Sequence, residues 1–450
     1  MLRKVLFLPL IASACFGQSG TPVFKVIYSP PSGGTIGYLQ DLVEVQPGLF
    51  YALSTRATNT SGATIFSVTS SGTFKPIYSF PFTSGTNVET LVQSSNGLLY
   101  GSGYSSYNFY YSVSPSGENL QQFAFPGQHP HQWGSENWTI TAPPGEFYDK
   151  AGMNVGNSVI QGFARIEESG KITILHQFSA TDGYPDPQAN IVYGPDGNIY
   201  GIGNQQYGTA PPGFIYRFTP AGVYSILLNF PPFPGSGLGY PLVAASDGNL
   251  YGTFPAGGTN NTGYVYQASL SGQYQVMANF PAHGMVQPGG TLLAAADGNV
   301  YGTTNSNDIF RYDVAKKELS KVYSVPESGA RCYCQLIEGM DGKLYGLGAV
   351  GGPFPGIGSI FSLDIGLPKP LPLVSGLYPA SGTVGQKVVL WGNYLLGATS
   401  VTFNGTPAGT AVSTSMQSVV ATVPPGAISG PVTVTTANGS FTTTQAFTVQ

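Results

Sequence analysis

Side chains able to do chemistry are sparse in this 450-residue chain, which has four histidines, three cysteines and 21 acidic residues. His129-Pro130-His131 could begin a metal site, because alternate residues of an extended chain share a face. No third histidine or carboxylate completes it at ligand spacing, so the pair reads as surface loop. Cys332 and Cys334 also share a strand face, but a bridge between i and i+2 is strained. Two thiols without a nearby histidine make a weak metal site, and they read as small buried side chains. Glycoside hydrolysis takes two carboxylates facing one bond. Glu136, Glu146, Asp149, Asp182, Asp186 and Asp308 lie in less regular segments, and nothing in their spacing pairs any two. Asp196, Asp247 and Asp297 each bring one carboxylate to an Asp-Gly-Asn turn, far short of the roughly six to eight oxygens Ca²⁺ takes. There is no Gly-x-Ser-x-Gly turn, phosphate loop or dinucleotide fingerprint. The expectation is no catalytic residue, no metal and no cofactor, hence no enzyme.

One segment stands apart. Gln128 to Trp138 reads QHPHQWGSENW and holds two of the three tryptophans and two of the four histidines. Trp133 and Trp138, with Asn and Gln beside them, suit stacking on a sugar ring. A lid that packs its own aromatics fits the same string. The first alternative makes Trp133, Trp138, His129, His131 and Asn137 the candidate ligand-binding residues.

What must position this segment is a repeat. DGNIYG at 196–201 returns as DGNLYG at 247–252, DGNVYG at 297–302 and DGKLYG at 341–346. Weaker copies are NGLLYG at 96–101, PGLFYA at 47–52 and PGEFYD at 144–149. They align in a column of seven tyrosines, Tyr51, Tyr100, Tyr148, Tyr200, Tyr251, Tyr301 and Tyr345, spaced by 44 to 52 residues. A second aromatic column follows at Phe66, Tyr111, Phe163, Tyr216, Tyr266, Phe310 and Phe361. In the fourth copy four strands are expected, over 189–193, 198–202, 214–218 and 224–230, and the first two are joined by a tight turn whose Gly accepts positive φ. Four short antiparallel strands in units of this length make a propeller blade, and blades bury their aromatic faces against one another.

The ends test the ring. The seventh unit has three strands and then runs into Gly366-Leu367-Pro368. Lys25-Val26-Ile27-Tyr28-Ser29, ahead of the first unit, matches the fourth-strand strings Lys75-Pro76-Ile77-Tyr78-Ser79 and Lys321-Val322-Tyr323-Ser324. The N-terminal segment is therefore expected to supply the missing outer strand. Variable stretches fall between second and third strands, on the side that also carries the 128–138 segment, as a binding face requires.

From Leu367 to Leu373 the chain is proline-rich and reads as a stiff linker. Beyond it, runs at 387–391, 400–404, 418–423 and 431–436 alternate as strands of a small sandwich. Tyr378-Pro379-Ala380-Ser381-Gly382, Val388 to Gly392, Val401 to Gly405 and Val423-Pro424-Pro425-Gly426 resemble the IPT/TIG family of immunoglobulin-like domains. The repeats resemble the GloVer-type tandem repeats of secreted bacterial proteins, although the third copy departs from them, with Asp149 in place of the glycine after tyrosine. That resemblance implies architecture and export, and no chemistry.

The bulk numbers agree. Only 8% of residues are charged, 42% are hydrophobic, and the formal net charge is −4. The 17 Lys and Arg are scattered, which speaks against nucleic acid, a partner that needs clustered cations. Arg3 and Lys4, the apolar run Val5 to Ile11 and small Ala12, Ala14 and Gly17 read as a signal peptide over residues 1–17. Ala12-Ser13-Ala14-Cys15 admits a lipid anchor at Cys15 instead, with Ala12 a poor match to such a box. No later apolar run reaches the ~20 residues of a membrane-spanning helix. The expected fold is all-β: a seven-bladed β-propeller over 22–366 closed by an N-terminal strand, a linker over 367–373 and an Ig-like β-sandwich over 374–450. The expected role is a secreted or cell-surface, monomeric, non-enzymatic binding or adhesion scaffold whose rim contacts an extracellular glycan or protein. A carbohydrate-active enzyme (glycoside hydrolase or polysaccharide lyase) and a structural surface-layer component are the alternatives.

Overall fold

The computed structural model describes residues 21–31, 36–56, 62–81, 87–104, 108–124, 140–142, 145–155, 158–185, 190–204, 213–231, 242–326, 335–348, 358–409 and 411–450. Every regular element among them is a strand, and the strands form nine sheets. In the first sheet Ile36–Gln46, Leu49–Arg56, Thr64–Thr69 and Phe74–Ser79 follow one another as an antiparallel meander. Five more sheets repeat this order along the chain. In the fourth, Ile191–Tyr193, Ile199–Asn204, Phe214–Phe218 and Tyr224–Asn229 lie within a residue or two of the expected runs. The seventh sheet joins the two ends of the repeat region. Its strands are Gln335–Glu338, Leu344–Gly348, Ser359–Asp364 and, in the outer place, Val23–Tyr28. Val23 lies opposite Asp364 and Val26 opposite Phe361.

The repeated string has a local physical reason. Gly248 has φ +83°, a value open to glycine, and lets the chain reverse between the first two strands. Asp247 then accepts from the Asn249 N–H at 3.1 Å and from the Tyr251 hydroxyl at 2.8 Å. The same aspartate-to-tyrosine bond recurs as Asp196–Tyr200, Asp297–Tyr301 and Asp341–Tyr345. These carboxylates are occupied by their own turns. All seven column tyrosines are buried, each exposed by 6% or less.

The glycine after the tyrosine makes room for a ring on the neighbouring strand. Gly252 lies opposite Tyr266, Gly201 opposite Tyr216, and Gly346 opposite Phe361. A Cβ at Gly252 would stand 2.2 Å from the Tyr266 hydroxyl. The third sheet corrects the second aromatic column. Its register sets Asp149 opposite Ala164, so the column member is Ala164, and Phe163 sits one residue away. Phe163 stays buried, stacked on Phe218 at 4.0 Å. The third unit thus exchanges a glycine and a ring for a carboxylate and a methyl, a swap that roughly conserves volume. Asp149, wholly buried, accepts from Tyr110 of the second sheet at 2.9 Å.

Neighbouring sheets meet along their first strands. Ile36–Gln46 packs against Val92–Gln93, and then Ile140–Ala142, Ile191–Tyr193, Val243–Ala244, Pro288–Ala294 and Gln335–Glu338 touch in turn. Gln335–Glu338 also lies against Ile36–Gln46. Polar staples tie them at one repeat position, seven residues ahead of the turn glycine. Asp41 accepts from the Leu91 N–H at 2.8 Å, Asn190 from Leu242 at 2.8 Å, and Gln335 from Leu42 at 2.9 Å. Gln335 also donates to Asp41 at 2.7 Å, so the first and seventh sheets share a side-chain bond as well.

The last two sheets form a sandwich. One orders Leu373–Tyr378, Lys387–Asn393, Ser418–Thr422 and Ala411–Ser415. The other is built on Gly439–Val449, Gly430–Thr436 and Ser400–Phe403. Val388, Leu390, Val419 and Ala421 of the first pack on Val401, Phe403, Val432, Val434 and Phe447 of the second. Pro370 of the connecting stretch is buried, and its carbonyl accepts from Asn438 at 3.1 Å.

Gly252→Ala is expected to lower stability by about 2 kcal/mol through overpacking against Tyr266, measured by urea unfolding. A change within about 0.5 kcal/mol would show that the glycine is not there to admit the ring.

Candidate functional site

In a meander the turns from first to second strand and from third to fourth share one end of the sheet. Loops from second to third strand, and connections onward to the next sheet, share the other. The sequence-derived residues Trp133, Trp138, His129, His131 and Asn137 fall in 125–139, outside the described residues. Cys15, Glu136, Asp186, Cys332 and Cys334 also fall outside them.

The loop-bearing end is described most fully at the fifth and sixth sheets, through 255–263, 281–287 and 305–307, and also in the connection 178–183 that carries Asp182. The stretch over the fifth and sixth sheets holds no Asp, Glu, Lys or Arg and is crowded with amides. Asn261 accepts from the Gly257 N–H at 2.7 Å, and Asn279 accepts from Thr259 at 3.0 Å. Gln287 donates its N–H to the Thr262 carbonyl at 2.8 Å, and Asn305 reaches the Gln287 side chain at 3.4 Å. Asn261, Gln287 and Asn307 all hold left-handed backbone, φ 54°, 53° and 61°. Such values are uncommon outside glycine and cost most at a residue like glutamine. Thr259, Asn260, Asn261, His283, Gln287 and Ser306 are exposed. The carboxylate beneath them, Asp308, is buried and engaged by Ser306 at 3.1 Å and by Lys321 at 3.5 Å. What remains on the surface is an array of neutral hydrogen-bonding groups.

The other acids singled out by sequence are dispersed. Glu146 pairs with Arg165 at 3.5 Å and accepts from Tyr148 at 3.0 Å. Asp149 lies three residues along the same strand and therefore on its opposite face. Asp182 accepts from Ser179 at 2.8 Å and faces His176 at 3.3 Å. Its carboxyl is held below the usual range by those Ser179 bonds and by His176, which outweigh its partial burial. Among the described residues no three His, Cys, Asp or Glu side chains gather as a metal site.

Three acids that sequence reasoning passed over are strongly perturbed. Burial pushes Asp41 up to about 6, against the opposing bonds from Leu91, Gln335 and Leu42. Burial likewise pushes Glu44 and Glu338 up to about 7. Each bridges sheets: Glu44 accepts from Met340 of the seventh sheet at 2.9 Å, and Glu338 accepts from Ala296 of the sixth at 2.8 Å. Their common signal is position on the first strand, seven or four residues ahead of the turn glycine. Chemically they are sheet-to-sheet clamps.

The sign of their pH dependence follows. A carboxyl whose folded value is raised stabilises fully below its unfolded value, near 4, and loses that contribution as pH rises through 6 to 7. The carboxyls with lowered values, Glu167, Asp182 and Asp313, act the other way; Glu167 and Asp182 are partly exposed, where screening discounts them, and Asp313 is paired with exposed Lys316. The thermal midpoint should therefore fall between about pH 4.5 and pH 7.5, and Glu44→Gln should flatten the fall. A midpoint that rises across this window would contradict the assignment.

A family model described as the Gloeobacter/Verrucomicrobia repeat matches residues 102–309 and 186–408, and the IPT/TIG domain model matches 372–450. No curated protein matches the chain. An oligogalacturonate lyase solved in complex with manganese is 11% identical over 78% of this chain and 97% of its own, with a TM-score of 0.51. An oligogalacturonate lyase from Vibrio parahaemolyticus is 11% identical over 76% and 97%, with a TM-score of 0.49. YCF48 from Cyanidioschyzon merolae is 12% identical over 75% and 98%, also at 0.49. At such identity the first likeness speaks to fold and to nothing else.

Proposed function

Because the chain belongs to the Gloeobacter/Verrucomicrobia repeat family and ends in an IPT/TIG domain, we propose that it is an exported, non-catalytic binding or adhesion scaffold. Its seven sheets make one seven-bladed β-propeller, closed by Val23–Tyr28, and its loop-bearing rim contacts an extracellular glycan or protein. Export rests on the signal-like residues 1–17, with a lipid on Cys15 as the anchored form.

The observation that carries this reading is the rim over the fifth and sixth sheets. Its exposed groups are amides, hydroxyls and one imidazole, and its carboxylate is neutralised below the surface. Neutral donors and acceptors suit a polyhydroxyl ligand or an uncharged protein surface. The expected stacking partners, Trp133 and Trp138, belong by sequence to the same end. A catalytic reading needs two acids facing one bond, and of the acids singled out by sequence Glu146, Asp149, Asp182 and Asp308 are each engaged by a hydrogen bond or an ion pair.

A glycan array tests the proposal, run with the wild type, with Trp133→Ala/Trp138→Ala and with Asn260→Ala/Gln287→Ala. Binding that drops about ten-fold or more in at least one double variant is the expected result. Binding to no glycan and no extracellular protein, or binding indifferent to both variants, would remove the rim as the contact surface. Release of shortened or unsaturated sugar from a bound polysaccharide would make the chain an enzyme instead.

A further inference from the structure

We infer that the C-terminal sandwich is a stopper for the axis enclosed by the first strands, and that it recognises that end through one repeat position, the residue four places ahead of each turn glycine. The inference rests on the propeller reading above, since it needs an axis to close. The position is held by Glu44, Gln93, Tyr193, Ala244, Ala294 and Glu338 in the first, second, fourth, fifth, sixth and seventh units. Three of these touch the sandwich. Gln93 accepts from the Met416 N–H at 3.3 Å, the Tyr193 ring meets Trp391 edge-on at 5.2 Å, and Glu338 accepts from the Tyr394 hydroxyl at 3.3 Å. The second, fourth and seventh sheets are not neighbours, so one small body that reaches all three spans the space between them.

The contact is built and not grazing. Gln93, Glu338, Trp391 and Met416 are each exposed by 8% or less. Ser418 donates to the Ser95 carbonyl at 3.2 Å, and Asn438 donates to the Met340 carbonyl at 3.1 Å. Tyr394 holds φ 57°, a left-handed value that an aromatic residue rarely adopts. Such strain persists where surroundings over-determine it, and here the hydroxyl it delivers meets a buried carboxylate. The chain path leads to the same place. Because Val23–Tyr28 takes the outer place of the seventh sheet, the chain leaves after a third strand, at the turn-bearing end. The sandwich emerges beside its seat and leaves the loop-bearing rim open.

Protons favour this seat. Burial raises Glu338, and Asp297 adds repulsion, while the Ala296 N–H and Tyr394 hydroxyl oppose. Glu44, raised by its own burial and by Asp341, acts on Tyr394 from the first sheet. Once released, Glu338 regains part of its water while the Ala296 bond and the Asp297 repulsion persist, so its value falls part of the way towards the ordinary range. The seated form therefore holds more protons between about pH 4.5 and 7, and seating weakens as pH rises through that window.

The test places a specific protease site after exposed Lys369 in the full chain and follows the cut protein by size exclusion at pH 5.5 and pH 8. The two pieces should travel together at pH 5.5, with the free fraction rising about three-fold at pH 8. Tyr193→Ala/Glu338→Ala should raise the free fraction about ten-fold at both values, and Glu338→Gln should remove the pH dependence. Melting curves of the uncut variants show whether each still folds. Wild-type pieces that separate at both pH values, or a folded double variant that stays joined as well as wild type, overturn the inference. A pH-independent wild type overturns the proton linkage. Failure of the ring itself would show separately, as unprotected amides along Ser359–Asp364 in the uncut chain.

Discussion

The antiparallel pairing of Val23–Tyr28 with Ser359–Asp364 is the constraint on which the other features depend. Without it the seventh sheet would present an open edge, with a row of unpaired amides and carbonyls and the Phe361 side of its core uncovered. Phe24 shows what the strand brings besides hydrogen bonds. Its ring stacks on Tyr323 of the sixth sheet at 5.4 Å and packs on Phe361 at 5.3 Å. The strand also meets the first sheet, where a Cβ at Gly72 would lie 2.6 Å from the Ile27 carbonyl oxygen. Gly117 stands in the same relation to Ile77, and Gly272 to Leu227, so the N-terminal strand occupies the place that fourth strands hold elsewhere. From its first strand and turn, the seventh sheet also donates to the first sheet, Gln335 to Asp41 and the Met340 N–H to Glu44.

This arrangement separates the two ends of the molecule chemically. The turn-bearing end is regular, its aspartates consumed by backbone amides and tyrosine hydroxyls, and the C-terminal sandwich rests there. The loop-bearing end differs from sheet to sheet, with neutral amides over the fifth and sixth sheets and the Asp182 carboxylate beside His176 between the third and fourth. Regularity on one side and variation on the other follow from covalent order. Tight turns between strands in register tolerate few residues, whereas a connection to the next sheet can lengthen freely.

Much of the fold was legible because its signals are local. The tyrosine column, the Asp-Gly turns and the strand strings around Lys25 and Lys321 each fit within a few residues, and the register of most sheets follows from them. Misreading Phe163 as a column member has a definite cause: the third unit replaces glycine with Asp149, and only the pairing with Ala164 reveals the compensating exchange. Asp41, Glu44 and Glu338 escaped notice because their partners lie in other sheets, Glu44 meeting Met340 across 296 residues of sequence. The seat of the sandwich was hidden for the same reason. Gln93, Tyr193 and Glu338 share a repeat position but not a side-chain type, and only their common neighbour gives them a role. As for the candidate site, the Trp133 and Trp138 segment lies outside the described residues, so its reading still rests on composition.

Amide hydrogen exchange along Ser359–Asp364, followed in the intact chain and in a chain lacking residues 22–30, tests the closure most directly. Strong protection in the intact protein, lost together with the cooperative unfolding transition on truncation, is the result expected of a sheet completed by the N-terminal strand. Equal protection in both chains, with unfolding unchanged, would mean that these residues pair with something else and that the seventh sheet does not depend on Val23–Tyr28.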